Sequence, residues 1–79
     1  MNWENYIHSD PDILVGKPVI KGTRLSVEFI LGLFSTGWTE KQILENYPNL
    51  TPDSLRAMFA FTFDILSALK RLRFLRLTT

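Results

Sequence analysis

The stretch that decides the fold is residues 39–57, which read TEKQILENYPNLTPDSLRA. Thr39 is followed three residues later by Gln42, and this pair has the spacing of a capping box. In a capping box each side chain accepts a hydrogen bond from the backbone amide of the other residue, which satisfies two free donors at a helix start. The stretch therefore predicts a short helix that is capped by Thr39 and runs through Asn46.

A turn and a second helix follow within the same stretch. Pro48 disfavours helical geometry at Tyr47, and Thr51 then caps a helix whose first position is Pro52. A helix, a tight turn and a helix in this order have the spacing of a helix-turn-helix. We expect the crossing of its helices to be set by three core residues, Ile43, Leu50 and Leu55.

Outward from this stretch, the chain predicts one more helix and a small hairpin. Ser26 caps a helix from Val27 to about Thr36, and Gly37 suits the left-handed position past its end. Residues 13–25 contain short β-branched pieces broken by glycine and proline, which predicts a loop with one small hairpin. The predicted fold class is mostly α: a three-helix, helix-turn-helix-like domain with a short N-terminal β-hairpin and a long third helix.

The third helix is unusually long and apolar. No stop signal occurs between Pro52 and Leu77, which at about 1.5 Å per residue gives a rod of roughly 40 Å. Apolar residues cover most of its circumference, and a helix of that kind must be buried nearly all round. Because the rest of the chain is too short to cover its second half, we expect a homodimer. The expected interface residues are Phe59, Phe63, Leu66 and Leu69.

One domain is expected from 79 residues, of which 46% are apolar. It divides into an N-terminal loop and hairpin (1–25), the first two helices (26–50) and the long third helix (51–77). The absence of cysteine removes thiolate metal sites and disulfides, and it fits a reducing cytoplasm. We expect no signal peptide and no membrane span, since the most apolar run, residues 55–69, is short and carries charges.

The charges are divided along the chain. Residues 1–53 carry four bases and seven acids, whereas residues 54–79 carry five bases and one acid. An acidic partner would therefore meet the C-terminal end. The same arrangement also suits a solvated helix end, because basic side chains there interact favourably with the helix dipole.

Residues suited to catalysis are scarce. His8 is the one histidine, and Asp10 and Asp12 beside it lie in a loop-like segment where acidic residues form solvated turns. A metal site there would need a third ligand. We therefore expect a protein that is not an enzyme and that uses no cofactor, no metal ion and no small-molecule substrate.

Several short motifs match a known family. They are Pro11-Asp12-Ile13, Gly16-Lys17-Pro18-Val19-Ile20, Lys21-Gly22-Thr23-Arg24, Val27, Gly37-Trp38-Thr39, Gln42-Ile43, Tyr47-Pro48-Asn49-Leu50 and Leu55-Arg56. Over about residues 5–63 the chain thereby resembles the bacterial domain-of-unknown-function 433 family. The resemblance implies a small helical domain with a helix-turn-helix-like core, commonly a homodimer. It also implies an antitoxin role, because members that resemble VapB-type antitoxins are encoded beside PIN-like ribonuclease toxins.

The C-terminal tail, residues 65–79, lies outside this resemblance. PIN-type nucleases bind metal ions in a carboxylate cluster, and a guanidinium from Arg71, Arg73 or Arg76 suits such a cluster through bidentate hydrogen bonds. Leu72 and Leu75 between the arginines would supply apolar anchors. The first hypothesis is therefore an antitoxin-like dimer that binds and blocks a PIN-like nuclease.

The alternative hypothesis is a helix-turn-helix transcriptional regulator, and the two roles coexist in antitoxins that repress their own operon. The DNA-binding residues would be Ser54, Arg56, Lys17, Lys21 and Arg24. A dedicated DNA binder should carry a basic stripe along its recognition helix, but here Asp53 accompanies Arg56 at the helix start. We therefore expect DNA binding to be weak at best.

Overall fold

The computed structural model describes the backbone of residues 1–77 and the side chains of residues 1–71. It contains helices α1 (Val27–Ser35), α2 (Glu40–Asn46) and α3 (Pro52–Leu77). A two-stranded antiparallel sheet is formed by β1 (Ile7–Ser9) and β2 (Pro18–Ile20), and each strand follows a 3₁₀ turn, Trp3–Asn5 or Leu14–Gly16. The predicted fold class, three helices with a short N-terminal hairpin, is confirmed.

The helices begin where the capping signals predict. The Ser26 hydroxyl oxygen accepts a hydrogen bond from the Phe29 amide at 2.9 Å. At α2, the Thr39 hydroxyl oxygen accepts from the Gln42 amide at 3.2 Å, and Gln42 Oε1 accepts from the Thr39 amide at 2.9 Å. Thr51 Oγ1 accepts from the amide of the third residue of α3 at 3.1 Å. Each cap satisfies an amide that has no partner within the helix, which is worth about 1 kcal/mol.

The hairpin differs from its predicted position. Its first strand, β1, precedes the stretch 13–25 and pairs with β2, so that Ile7 lies opposite Ile20. The prediction was wrong because a three-residue strand with a single buried side chain, Ile7, has too little alternation to detect. Within that stretch the chain turns at Gly22, which has a φ of 81°, but this turn closes only the isolated bridge between Val19 and Ser26.

The core lies where the hairpin, α1, α2 and the start of α3 meet. Ile43, Leu50 and Leu55, the residues predicted to set the helix crossing, are all buried. The other buried apolar residues are Ile7, Val19, Ile20, Val27, Ile30, Ala57 and Met58. Burying one large aliphatic side chain of this kind stabilises the fold by about 1.5–3 kcal/mol.

The N-terminal 3₁₀ turn extends the cover over α3 past the last core residue. The Trp3 ring packs edge-on against Phe61, with centroids 4.8 Å apart and planes at 77°. The Trp3 Nε1–H donates a hydrogen bond to Asp64 Oδ2 at 2.7 Å. Beyond Asp64, nearly all side chains of α3 up to Arg71 are exposed. Within residues 1–77, none of the helices has the length and apolar character needed to cross a membrane.

Candidate partner-binding surfaces

From Phe59 onward, one side of α3 presents a broad apolar surface, which we name the outer α3 face. It is formed by Phe59, Phe63, Leu66 and Leu69, whose exposed fractions lie between 47% and 69%. The Phe59 ring contacts the Phe34 ring of α1, with centroids 5.2 Å apart, so this face begins at the core and continues outward. Contiguous exposed apolar surface of this kind marks an interaction site in monomeric domains.

A groove adjoins the outer α3 face on the side of the first helix. This α1–α3 groove encloses about 360 Å³ and is lined mainly by Val27, Leu31, Phe61, Ile65 and Leu66. Leu66 belongs to both surfaces, so the exposed apolar surface wraps around α3 from the groove to the outer face. All four interface residues predicted from the sequence therefore lie on one exposed surface.

The basic tail begins within the described residues. Lys70 and Arg71 are exposed at the end of that part. The other tail residues assigned to partner binding, Leu72, Arg73, Leu75 and Arg76, have side chains outside the described residues. Contact between this tail and a nuclease stays a prediction.

The start of α3 offers less to DNA than its sequence indicates. Ser54, named above as a DNA-binding residue and therefore expected to be exposed, is buried, and its hydroxyl lies 3.0 Å from that of Thr51. The expectation of exposure was wrong because α3 is rotated so that its positions 54, 55, 57 and 58 point into the core. Arg56 is exposed, but its Nη1 lies 3.6 Å from Asp53 Oδ1, which offsets its charge locally.

Lys17 and Arg24, two of the bases named above for DNA binding, line a second groove, which we name the turn groove. It encloses about 500 Å³, and its walls include Leu14, Val15, Lys17, Arg24, Leu25 and Phe29. Lys17 Nζ lies 3.2 Å from Glu28 Oε2, while Lys21 and Arg24 are exposed. Sequence reasoning named the bases but missed the groove, because Leu14 and Phe29 are brought together only by the tertiary fold.

The acidic N-terminal segment has the turn-forming role expected of it. Asp10 Oδ1 accepts a hydrogen bond from the Asp12 amide at 2.9 Å. His8 is half-buried in β1, opposite Val19. In the part of the chain that the structure describes, no three histidine or acidic side chains are grouped so that they could hold a metal ion.

Comparison with known proteins places the chain in a family. The profile of the family described as Protein of unknown function (DUF433) matches residues 7–62. The chain belongs to the DUF433 family. Its fold is similar to the crystal structure of a DUF433 member protein from Anabaena variabilis ATCC 29413, with a TM-score of 0.75 and 28% sequence identity. That similarity covers 86% of this chain and 67% of the Anabaena chain.

A curated relative is also similar to this DUF433 chain. Over 50 residues the chain is 36% identical to the uncharacterized protein y4eO of Sinorhizobium fredii (strain NBRC 101917 / NGR234). The match covers 63% of this chain but only 23% of that relative. The chain therefore spans less than a quarter of the length of this relative.

The DUF433 match separates the two candidate surfaces. The turn groove, formed by residues between 14 and 29, lies entirely within the matched residues 7–62. The outer α3 face straddles the limit, because Phe59 lies inside the match while Phe63, Leu66 and Leu69 follow it.

Proposed function

We propose that this chain is an antitoxin-like interaction protein. It forms a homodimer through the outer α3 face, and the basic, apolar tail that follows this face binds and blocks a PIN-like ribonuclease. The observation that carries the proposal is the exposure of Phe59, Phe63, Leu66 and Leu69 on a helix that leaves the body of the domain. On this proposal the chain catalyses no reaction and needs no cofactor.

Dimerisation is supported by the amount of apolar surface that the chain leaves in water. Burying each of the four side chains of the outer α3 face against a second copy would contribute about 1.5–3 kcal/mol if burial were complete. Stable interfaces bury about 800 Å² on each partner, so the α1–α3 groove would have to take part as well. Leu66 joins the groove to the face, which makes one continuous interface possible.

Nuclease binding is supported by the charge of the helix end. Lys70 and Arg71 are exposed, and the sequence places Arg73 and Arg76 after them. A planar guanidinium forms paired hydrogen bonds with a carboxylate, and the metal-binding cluster of a PIN-like nuclease is rich in carboxylates. Apolar residues lie between the arginines of the tail. On this proposal they would contact an apolar groove of the nuclease, while the arginines contact the acidic site at the end of that groove.

On this proposal the neighbouring gene encodes a PIN-like ribonuclease, and the direct test is an inhibition assay with that gene's product. The purified chain is expected to form a stable complex with that nuclease and to suppress its cleavage of RNA. Full cleavage activity in the presence of an excess of the folded chain would overturn the proposal. Sedimentation of the chain alone tests the dimer separately, because a dimer is expected with or without the nuclease.

DNA binding is the second candidate function. The arrangement of α2, the turn and α3 around Ile43, Leu50 and Leu55 favours it, since helix-turn-helix proteins read DNA with the second of these helices. Three of the five residues named for this role are less available to DNA, because Ser54 is buried, Arg56 is paired with an aspartate and Lys17 is paired with a glutamate. Sequence-selective, nanomolar binding to the operon's promoter DNA at physiological salt would rank this function first, whereas non-specific binders reach only about 10⁻⁴–10⁻⁶ M.

A further inference from the structure

The turn between the two strands has an unusual backbone. Leu14, Val15 and Gly16 all have positive φ angles, of 51°, 58° and 80°. The ψ of Val15 is 38°, so this residue occupies the left-handed helical region. Glycine adopts that conformation freely, but in a β-branched residue it is strained by about 1–3 kcal/mol. The turn is closed by hydrogen bonds from the Gly16 amide to the Ile13 carbonyl and from the Lys17 amide to the Leu14 carbonyl.

The strained residues do not serve the core of this chain. Val15 is 94% exposed, so its side chain buries almost no apolar surface in return for the strain, and Leu14 is still 45% exposed. Asparagine or glycine would fit the same backbone with less strain. Two apolar side chains at this position are therefore explained better by contact with another molecule than by folding.

A long depression begins at this turn. The turn groove, of about 500 Å³, is bordered by Val15 and Phe29 and shares Phe29 and Lys17 with a further groove of about 400 Å³. The second groove continues along α1 past Gly32 to Thr36. Apart from its chain neighbours and the backbone of its own helix, no atom lies within 4 Å of the position that a Cβ of Gly32 would take. The groove is therefore unobstructed at this residue. The shape suits an extended segment rather than a small molecule.

The charges along this depression favour an acidic occupant. The charged residues that line it are Lys17, Arg24 and Glu28. Lys17 is paired with Glu28, whereas Arg24 has no ion pair within the described part of the chain. A carboxylate at the rim would therefore give Arg24 a partner while apolar side chains fill the groove.

We propose that the turn groove and its continuation along α1 bind a peptide segment of a partner protein in which apolar side chains stand beside carboxylates. A phosphate backbone fits less well, because nucleic-acid contacts need polar donors where this groove has Leu14, Val15 and Phe29. The α3 end of a second copy fits less well too, because its Lys70 and Arg71 would meet Arg24 with like charge. This surface is distinct from the outer α3 face, and the proposal does not depend on the antitoxin role.

The test is a titration of the isotope-labelled full chain followed by amide chemical shifts. The probes are a short synthetic peptide of alternating leucine and glutamate, the same peptide with lysine in place of glutamate, and a duplex DNA. The leucine–glutamate peptide is expected to shift amides around Val15, Arg24 and Phe29, and the lysine peptide is not. Arg24→Gln and Val15→Asn are expected to weaken binding by about tenfold each, whereas the control Lys41→Gln on α2 changes it by about twofold at most.

Stability separates this role from a structural one. Val15→Asn is expected to raise the midpoint of urea unfolding, because asparagine tolerates the left-handed backbone, while it weakens peptide binding. A lower midpoint would show that Val15 serves the fold and would overturn the proposal. Shifts in the groove with DNA alone would assign the surface to nucleic acid, and growth of the chain beyond a dimer that Val15→Asn abolishes would assign it to a second copy. Either of these results, or the absence of shifts with all probes, refutes peptide docking.

Discussion

The two halves of α3 are built from the same kinds of residue but meet different surroundings. In the first half, Leu55 and Met58 are buried by the hairpin, α1 and α2. In the second half, Leu66 and Leu69 are more than half exposed. Each residue added to a helix lengthens it by about 1.5 Å, and each added turn needs side chains from other elements to cover it. The contrast teaches that this chain buries only part of the helix by itself and leaves the rest exposed, where the proposed second copy would bind.

The largest expected effect comes from a matched pair of substitutions that tests this contrast directly. Leu55→Ala should lower the free energy of unfolding by about 2–5 kcal/mol, because it leaves a cavity in a closed core. Leu69→Ala should have a much smaller effect at low protein concentration, where no partner copy covers it. Urea unfolding at two protein concentrations measures both. Equal losses at every concentration would mean that the chain covers its own second half.

A charge on the outer α3 face should break the dimer and leave the first half intact. Leu66→Asp places a carboxylate where a second copy is expected to bury the leucine, and an unpaired buried charge costs several kcal/mol. Sedimentation is expected to show a monomer, and circular dichroism to show a folded helical chain. Asn49→Asp, which adds the same charge in an exposed turn, is the control. A dimer that survives Leu66→Asp would contradict the proposed interface.

The tail should matter for the nuclease and little for the fold. Changing Arg71, Arg73 and Arg76 to glutamine is expected to weaken nuclease binding by about 1.5–3 kcal/mol for each arginine that contacts a carboxylate. Deleting residues 70–79 should abolish inhibition and leave a folded domain, because the core ends far before the tail. Titration calorimetry and the RNA-cleavage assay measure the two effects, with Lys41→Gln as the charge control. Full inhibition by the triple variant would refute the contact.

Local signals explain why most of the fold could be predicted from the sequence. The caps Ser26, Thr39 and Thr51 act on amides only three residues away, so the sequence contains both partners of each hydrogen bond. The first strand was misplaced because its pairing with β2 is made across a turn, and Ile7 alone shows no pattern. Pairing between distant short segments is a tertiary event that periodicity does not encode.

Of the candidate surfaces, too, one could be predicted from the sequence and another could not. The outer α3 face was predictable because α3 carries more apolar residues than the rest of the chain can cover. The uncovered ones must lie in water or at an interface. Ser54 was misjudged because the rotation of α3 about its axis depends on how Leu55 and Met58 pack, which the helix boundaries do not reveal. The turn groove was missed because a positive φ at Val15 contradicts the ordinary preference of a β-branched residue.

The smallest expected effect concerns the contact of Trp3 with Phe61 and Asp64, which lies at the end of the covered part of α3. Trp3→Phe keeps an aromatic ring against Phe61 but removes the indole donor to Asp64. The loss in unfolding free energy should be about 0.5–1.5 kcal/mol, towards the lower value because this hydrogen bond lies in solvent. Asp64→Asn keeps an acceptor oxygen and removes the charge, so it should cost less than Trp3→Phe.

A double-mutant cycle shows whether Trp3 and Asp64 act together. If the hydrogen bond fastens the N-terminal turn to α3, the two losses should not add, because the second change removes a contact that the first has already broken. Urea unfolding of Trp3→Phe, Asp64→Ala and the double variant measures the coupling, because alanine leaves no acceptor for the indole. Each variant also carries Leu66→Asp, so that no partner copy contributes. Full additivity would mean that the bond contributes nothing. The N-terminal turn would then be held against α3 by the packing of Trp3 on Phe61 alone.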